Sequence, residues 1–341
     1  MIPFKSNARV VQTCLFALVV LALSFSFGTA SAEIKLTDNL SISGFLDMSS
    51  VITDDGDDKT ASLSFDQFEL DFHFNSGSVT ARVDIDSTGS FSHPAAGIGQ
   101  SQDVVLEQGF VTYTFSKDVL PGASITAGRF LSSFGFETAE PTGLYQFSFS
   151  EGIPYPAYQN GVAVSVKPTK EIGIYVALLS GVWDVNDTDL EDPGFEAQLS
   201  LMPVEQVTAK VGFAIDDTGA DDKRSELNAW VSFSQGPLTL AGEIDILNNW
   251  PSVDAIGNPV VRDNGLHFLG LVNLSLEDAL SAPLALTVRF SGIDLDEEEI
   301  SKEITVSPSF SATDNWLLLA EFKRLIDKEE TIFAVKSLFT F

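Results

Sequence analysis

Residues 67–86 read QFELDFHFNSGSVTARVDID, and this stretch decides the fold of the chain. In residues 67–74 every second side chain is apolar, and the side chains between them are polar or charged. After the turn residues Asn75-Ser76-Gly77, the same alternation is repeated in residues 79–86. Strict alternation predicts β-strands with one apolar and one polar face, and the turn between two such runs predicts an antiparallel pair.

The alternating pattern recurs along the rest of the chain, separated by turn residues. It predicts about 16 strands, within a range of about 14–18, and no helix beyond one turn at 276–280. The predicted strands are 40–52, 61–74, 79–87, 104–115, 123–130, 160–168, 171–180, 195–202, 207–215, 225–234, 238–246, 265–275, 284–293, 302–310, 316–325 and 330–341. The fold class indicated is all-β.

The connections between these segments alternate in character. The short ones are 75–78, 167–170, 202–206, 235–237 and 312–315, with two of medium length at 116–122 and 276–283. The long or acidic ones are 53–58, 88–102, 131–159, 183–192, 216–222, 247–263, 294–299 and 327–330. Short turns at one end and long loops at the other are typical of a transmembrane up-and-down antiparallel β-barrel.

The position of the apolar face separates two all-β interpretations. A soluble barrel or sandwich would point the apolar face inward and remains an alternative. A sheet of about 16 strands, however, closes into a ring too wide for side chains to fill, so its interior holds water. The apolar face must then contact lipid, where only a closed barrel satisfies every backbone hydrogen-bonding group.

The N-terminal residues predict export. Lys5 and Arg9 precede an apolar run at 10–27, and Ala30-Ser31-Ala32 supplies a small-residue cleavage site, so residues 1–32 are predicted to be a cleaved signal peptide. The only cysteine, Cys14, lies within this segment. Residues 33–341 are then expected to form a single barrel that is stabilised without disulfides.

The segment 131–159 is an unusually long connection for a compact domain, and such connections are functional or disordered. Its aromatic content argues against disorder. The aromatic residues are Phe134, Phe136, Tyr145, Phe147, Phe149, Tyr155 and Tyr158. We therefore expect a long loop that folds inward and packs inside the barrel.

The flanks of this loop resemble a known family. Gly128-Arg129-Phe130, Gly135-Phe136-Glu137, Pro141 and Asn160-Gly161-Val162 are similar to the corresponding stretch of OmpL-like outer-membrane β-barrel porins. The resemblance implies a porin: a passive diffusion channel for small hydrophilic solutes, with no cofactor and with ion transport as its activity. It also implies that the loop narrows the channel, and the size class implies a homotrimer.

The C-terminal residues Phe339-Thr340-Phe341 resemble the assembly signal of Gram-negative outer-membrane barrels. Ala334 and Lys336 depart from it, because that signal usually has a polar residue and a glycine there. The resemblance implies that Phe339 and Phe341 are read by the barrel-assembly machinery, and that the barrel lies in the cell outer membrane with outer-membrane lipids around it.

The charged residues of the polar face are candidates for the channel lining and its narrowest part, because rings of charged side chains set selectivity. We expect the loop acids Glu137, Glu140 and Glu151 to face basic wall residues. By parity the wall residues are Arg82, Lys210, Arg289, Glu69, Asp71, Asp84, Glu243 and Asp245. Arg129 is also a candidate for the channel lining. It has the parity of Ile125 and Ala127 on the lipid side, however, so capping of the strand end is the alternative. The acidic majority predicts weak cation selectivity.

Other functions have weaker signals. The acidic loops lack the spacing of a calcium-binding loop, so we expect no dedicated metal site there and assign them to surface charge that divalent ions bridge to lipopolysaccharide. His73, His93 and His267 lack metal-ligand spacing, and the G-x-S-x-G motif is absent. An enzyme is not expected, although scattered Ser, His and Asp residues leave an outer-membrane hydrolase open.

Two further alternatives concern partners. The barrel could serve as an adhesin or as a scaffold around a partner protein, although the haem-attachment motif C-x-x-C-H is absent. The formal net charge of −29 argues against nucleic acid, whose phosphates attract basic proteins.

Overall fold

The computed structural model describes residues 33–88, 104–188, 190–217, 223–253 and 259–341. It is a closed barrel of sixteen antiparallel strands, and a two-residue strand, β1 (Ile34–Lys35), pairs beside it. The barrel strands are β2 (Leu40–Asp54), β3 (Lys59–Ser76), β4 (Val79–Thr88), β5 (Val104–Thr114), β6 (Ala123–Leu131), β7 (Tyr158–Val166), β8 (Ile172–Leu179), β9 (Gly194–Val204), β10 (Val207–Asp217), β11 (Lys223–Gln235), β12 (Leu238–Val253), β13 (Pro259–Ser275), β14 (Leu284–Leu295), β15 (Ser301–Thr313), β16 (Trp316–Leu325) and β17 (Glu330–Thr340). The predicted signal peptide and most of the predicted loop 88–102 lie outside the described residues.

The barrel confirms the predicted fold class and strand order, and the main differences are at strand ends. The predicted loop 247–263 is mostly strand, because β12 continues to Val253 and β13 starts at Pro259. Trp250 pairs with Arg262 in this extension. The paired backbones satisfy each other's hydrogen bonds whatever the side-chain pattern, so the loss of alternation did not end the strands.

The barrel has an apolar exterior and a polar interior. Side chains of the apolar parity, such as Val111 and Ile244, are 50% and 52% exposed. Side chains of the opposite parity, such as Asp84 and Arg289, are fully buried although they are charged. This is the reverse of a soluble sandwich, and it indicates that the apolar face meets lipid.

Two β-bulges add carboxylates to the interior. In β3, Asp47 pairs with Gln67 and Met48 pairs with Phe65, so Asp66 is an extra residue. In β5, Asp84 pairs with Gln108 and Ile85 pairs with Leu106, so Glu107 is extra. A bulge reverses the parity of the strand beyond it. Asp66 and Glu107 are therefore both buried on the inner side of the barrel, and the residues that follow them, Gln67 and Gln108, also face inward.

Closure joins the first and last barrel strands. β17 pairs with β2, and the backbones of Gly44 and Phe341 exchange two hydrogen bonds of 3.0 Å. The rings of Phe339 and Phe341 stack with centroids 6.5 Å apart. The predicted helical turn is a one-turn helix at Glu277–Leu280. Among the described residues, no helix is long and apolar enough to cross a membrane.

Candidate functional site

The connection between β6 and β7, residues 132–157, is called the inner loop because it lies inside the barrel. Its backbone N–H groups donate hydrogen bonds to glutamates on the inner face of distant strands. Ser133 donates to Glu196 of β9 at 2.9 Å, and Phe136 donates to Glu243 of β12 at 3.1 Å. Phe147 donates to Glu321 of β16 at 2.8 Å. The inner loop therefore follows the wall from β9 to β16.

Arg289 of β14 is the central cation under the inner loop. Its Nη1 atom lies 2.5 Å from Glu137 of the loop, and its Nη2 atom lies 2.7 Å from Glu303 of β15. The guanidinium also donates to the backbone oxygens of Ser148 and Phe149 at 2.7 Å. A fully buried guanidinium needs acceptors for its five N–H groups, and the loop supplies most of them.

A hydrogen-bond chain of Asp245, His267 and Ser150 also joins the wall to the inner loop. Nδ1 of His267 lies 2.6 Å from Asp245, and Nε2 lies 3.1 Å from Oγ of Ser150. This order of acid, base and hydroxyl is that of hydrolase triads. Here all three side chains are at most 3% exposed. This hydrogen-bond chain joins the wall to the inner loop and so helps to hold the loop in place.

Apolar packing reinforces these polar contacts near β10. A cluster of buried residues that includes Phe130, Phe134, Tyr155 and Leu179 fills the space between the loop and the wall. Gly212 of β10 makes room for it, because a Cβ at that position would lie 2.4 Å from Cε1 of Phe134. The glycine is thus required by the close approach of the loop.

Glu151 anchors the outer end of the inner loop. It accepts hydrogen bonds from Ser301 at 3.0 Å and from Lys328 at 2.9 Å, and Lys323 lies 3.9 Å away. The hydrogen bond to Glu151 raises the pKa of Lys328, which lies in the connection between β16 and β17. Glu137 and Glu151 are therefore both paired with basic residues.

The opposite wall, formed by β3–β5, carries a different arrangement. Arg82 of β4 contacts three carboxylates: Asp84 at 2.7 Å, Asp71 at 3.1 Å and Glu69 at 3.7 Å. Gln108 of β5 donates to Asp84 at 2.5 Å. One guanidinium is thus shared among several acids.

Glu140 joins this acidic wall, where it meets one basic residue, Arg82, among several acids. Its carboxylate lies within 4.8 Å of those of Glu69 and Asp84. The Tyr158 hydroxyl lies 3.2 Å from Glu140 and 3.0 Å from Glu107. The reason is local: the loop makes a 3₁₀ turn at Pro141–Gly143, and Glu140 comes just before it on the β3–β5 side.

Two cavities lie near the two ends of this acidic wall. One cavity, of about 650 Å³, is lined by Gln67, Pro141, Leu144 and residues 147–156, and we call it the outer cavity because it lies toward the end of the barrel that carries the long loops. A cavity of about 770 Å³ is lined by Ser43, His73 and Arg82 near the opposite end. On the inner face of β3, Glu69 and Asp71 come between Gln67 and His73. We call Glu69, Asp71, Arg82, Asp84 and Glu140 the narrow section. Along β3, Glu69 and Asp71 lie between residues that line the two cavities, and Arg82 itself lines the second one.

Four predicted lining residues lie elsewhere. Arg129 bonds to Asn160 at 3.0 Å and to the backbone oxygens of Leu106 and Val185, so it ties strand ends together. Lys210 lies over the Trp230 ring, 5.2 Å from its centroid. Glu243 and Asp245 are buried beneath the inner loop.

Several interior residues were not predicted. The anchors Glu196, Glu303 and Glu321 have inward parity in predicted strands, so parity applied to every strand would have found them. Lys336, considered only for the assembly signal, pairs with Asp47 at 2.8 Å on the inner face. Glu107 could not be placed by simple alternation, because the bulge shifts the phase of β5.

A closed sixteen-stranded barrel with an apolar exterior, a charged interior and a loop folded into its lumen belongs to the class of outer-membrane porins. The family model of the beta-barrel porin-2, OmpL-like proteins matches residues 39–290, which is well over half of the chain. The chain belongs to this family. Membership implies an outer-membrane channel.

Solved structures agree on the fold. OmpF of Salmonella typhi superposes with a TM-score of 0.71 at 11% identity, covering 91% of this chain and 100% of that one. DcaP, an outer membrane channel of Acinetobacter baumannii, gives 0.61 at 12% identity over 89% of this chain and 97% of that one. An anion-selective porin from Comamonas acidovorans gives 0.60 at 11% identity over 89% and 99%. No curated protein matches the sequence.

Proposed function

We propose that the chain is a passive diffusion channel for small hydrophilic solutes and ions, weakly cation-selective and without a cofactor or catalytic activity. The observation that supports this best is the pair of cavities on the two sides of the narrow section. Solutes would pass from one cavity to the other beside Glu69 and Asp71.

The path is on the β3–β5 side of the lumen. The inner loop is bonded to β9, β12, β14 and β16, so it occupies that half of the interior. On the side of the loop that faces away from these strands, Pro141 lines the outer cavity together with Gln67 of β3. A loop held this firmly to one wall narrows the channel without closing the other side.

The cation preference follows from the charges of the narrow section. Glu69, Asp71, Asp84 and Glu140 are acidic, and Arg82 is the one basic residue in this set. Fixed charges at the narrowest part of a pore favour ions of opposite sign. Arg82 partly neutralises the acids, so the expected preference is weak.

The test is single-channel conductance of the purified protein in planar bilayers, with a salt gradient across the membrane. Stable steps with a reversal potential of the cation-selective sign would support both parts of the proposal. Steps with anion preference would contradict the proposed cation selectivity but would leave the proposed channel function in place. A folded barrel without steps would overturn the channel.

The hydrolase alternative rests on the Ser150–His267–Asp245 chain and has its own test. A fluorophosphonate probe, which labels activated serines, should leave Ser150 unmodified, because the three side chains are buried. Ester hydrolysis that is lost in Ser150→Ala and retained by the wild type would establish an enzyme instead.

The remaining parts of the proposal concern export and surroundings. Residues 1–32 are proposed to be cleaved, and Phe339 and Phe341 to be read by the assembly machinery. The acidic loops would meet lipopolysaccharide through divalent ions. Copies are proposed to form a homotrimer. Mass spectrometry of the membrane form tests both cleavage and trimer.

A further inference from the structure

The narrow section and two neighbouring residues form a group of carboxylates with too little positive charge. Asp86 lies directly opposite Glu69 in the β3–β4 ladder, on the same inner side. Glu107 reaches the group through the bulge in β5 and contacts Tyr158. In the part of the chain that the structure describes, Arg82 is the one cationic side chain within salt-bridge distance of these acids.

Asp86 shows the imbalance most directly. It is 0% exposed, and neither of its side-chain oxygens makes a hydrogen bond of full geometry among the described residues, although the Gln67 amide and the backbone N–H of Ser87 lie beside it. Gln67, on the neighbouring strand, donates its amide to Glu69 at 3.3 Å. Oε2 of Glu140 also lacks a partner within the described part. Buried carboxylates without donors are strongly unfavourable unless a cation or a proton neutralises them.

We propose that Glu69, Asp84 and Glu140 bind one calcium ion, with Asp86 supplying further negative charge beside it. Calcium–oxygen distances are about 2.3–2.6 Å, so two ligands of one ion lie up to about 5 Å apart. The carboxylate oxygens of the three residues lie within 4.8 Å of one another, which meets this limit. Magnesium, with distances of about 2.0–2.1 Å and strict octahedral geometry, needs closer oxygens.

The ion would connect two parts of the molecule. Glu140 belongs to the inner loop, whereas Glu69 and Asp84 belong to β3 and β4. A bound ion would therefore fix the free side of the loop to the wall and would reduce the negative charge of the narrow section. The effect on conduction rests on the proposed channel function, whereas binding of the ion does not.

The test is titration calorimetry of the purified outer-membrane form in detergent, using calcium chloride alone. We expect one ion per barrel, with a dissociation constant on the order of 10⁻⁴–10⁻³ M, the range of extracellular calcium-binding modules. Glu140→Gln and Asp86→Asn should each weaken binding at least about tenfold, since even outer-shell changes have effects of that size. Magnesium should bind more weakly than calcium.

The matched control is Glu205→Gln, the same substitution at a glutamate in the exposed turn between β9 and β10, which should leave calcium affinity unchanged. Heat-modifiable gel mobility shows that each variant is folded. Absence of saturable binding, or equal binding by wild type and Glu140→Gln, would overturn the site. Absence of binding would mean that the carboxylates share protons instead of an ion. Equal binding by the two proteins would place the bound calcium in the external loops.

The two proposals fail separately. Conductance steps without calcium binding would leave the channel and remove the ion site. Calcium binding that depends on Glu140, in a barrel that does not conduct, would leave the ion site and remove the channel.

Discussion

The two sides of the lumen use the same kinds of residues for different purposes. On the β9–β16 side, the glutamates that hold the inner loop accept hydrogen bonds from its backbone, and Arg289 is paired with Glu137 and Glu303. On the β3–β5 side, several acids share Arg82, and Asp86 has no cationic partner among the described residues. Satisfied charges hold a structure in place, whereas unbalanced charges remain available to ions and solutes. The role of a buried charged residue in a pore therefore depends on its hydrogen-bond and ion-pair partners, and burial alone does not indicate that role.

The largest expected effect is the loss of Arg289. Arg289→Gln leaves Glu137 buried without its cation and leaves Glu303 with Lys323 alone, and breaking a buried ion pair in this way typically costs about 3–5 kcal/mol. We expect a clear fall in the denaturation midpoint of the folded barrel and noisy conductance from the released loop, measured by heat-modifiable mobility and by bilayer recordings.

The matched control is Arg82→Gln on the other side. It should change ion preference and should lower stability less than Arg289→Gln does, since Arg82 is partly exposed and holds no loop segment. If both arginines proved equally important for stability, the distinction between the two sides would be wrong.

The next effect concerns the packing between the inner loop and β10. Gly212→Ala places a methyl group against Phe134, and such overpacking costs about 1–3 kcal/mol. Gly242→Ala is the control, because its Cβ would meet nothing nearer than 3.8 Å. Thermal unfolding of the two variants should differ. Equal stability would show that the loop yields easily at Phe134.

The third prediction addresses the charge of the narrow section. Glu140→Lys replaces a negative with a positive charge beside Glu69 and Asp84, so the reversal potential in a salt gradient should move toward anion preference. Glu205→Lys makes the same change in the exposed turn between β9 and β10 and should have little effect. A similar shift in both variants would mean that total charge, rather than the narrow section, sets selectivity.

The smallest effect is expected for the ion pairs between β13 and the connection that follows β14. Arg262 pairs with Glu297 at 2.9 Å and Glu298 at 2.8 Å, and partly exposed pairs contribute about 1 kcal/mol or less. Arg262→Gln should therefore barely change the denaturation midpoint.

The same contact has a pH dependence of known sign. Burial opposes the charge of Glu298, but hydrogen bonds from Ser252 and Arg262 outweigh it and lower the pKa of that carboxyl. The small stabilisation should be present above the ordinary glutamate pKa and disappear as the pH falls through the lowered value. Denaturation midpoints of wild type and Arg262→Gln should converge in acid; a constant difference would contradict this assignment.

Part of the candidate site was accessible from the sequence. Parity alone placed Glu69, Asp84 and Arg289 on the polar face, because each lies in a regular run of alternation. It did not place Glu107, since a bulge changes the phase, and it did not distinguish the loop anchors from the narrow section. Glu140 was expected to face basic residues, and it lies near Arg82 but also among several acids, which parity did not predict.

The sequence by itself determined the class of the fold, the sixteen strands and the division between lipid-facing and inward-facing residues. These depend on alternation between neighbours along the chain, which is a local property. Only the tertiary structure decided which charges are paired, because closure of the barrel brings distant residues together. Glu137 and Arg289 are 152 positions apart, and no local pattern relates them. The path of the inner loop, and with it the acidic side left open, follows from such long-range contacts.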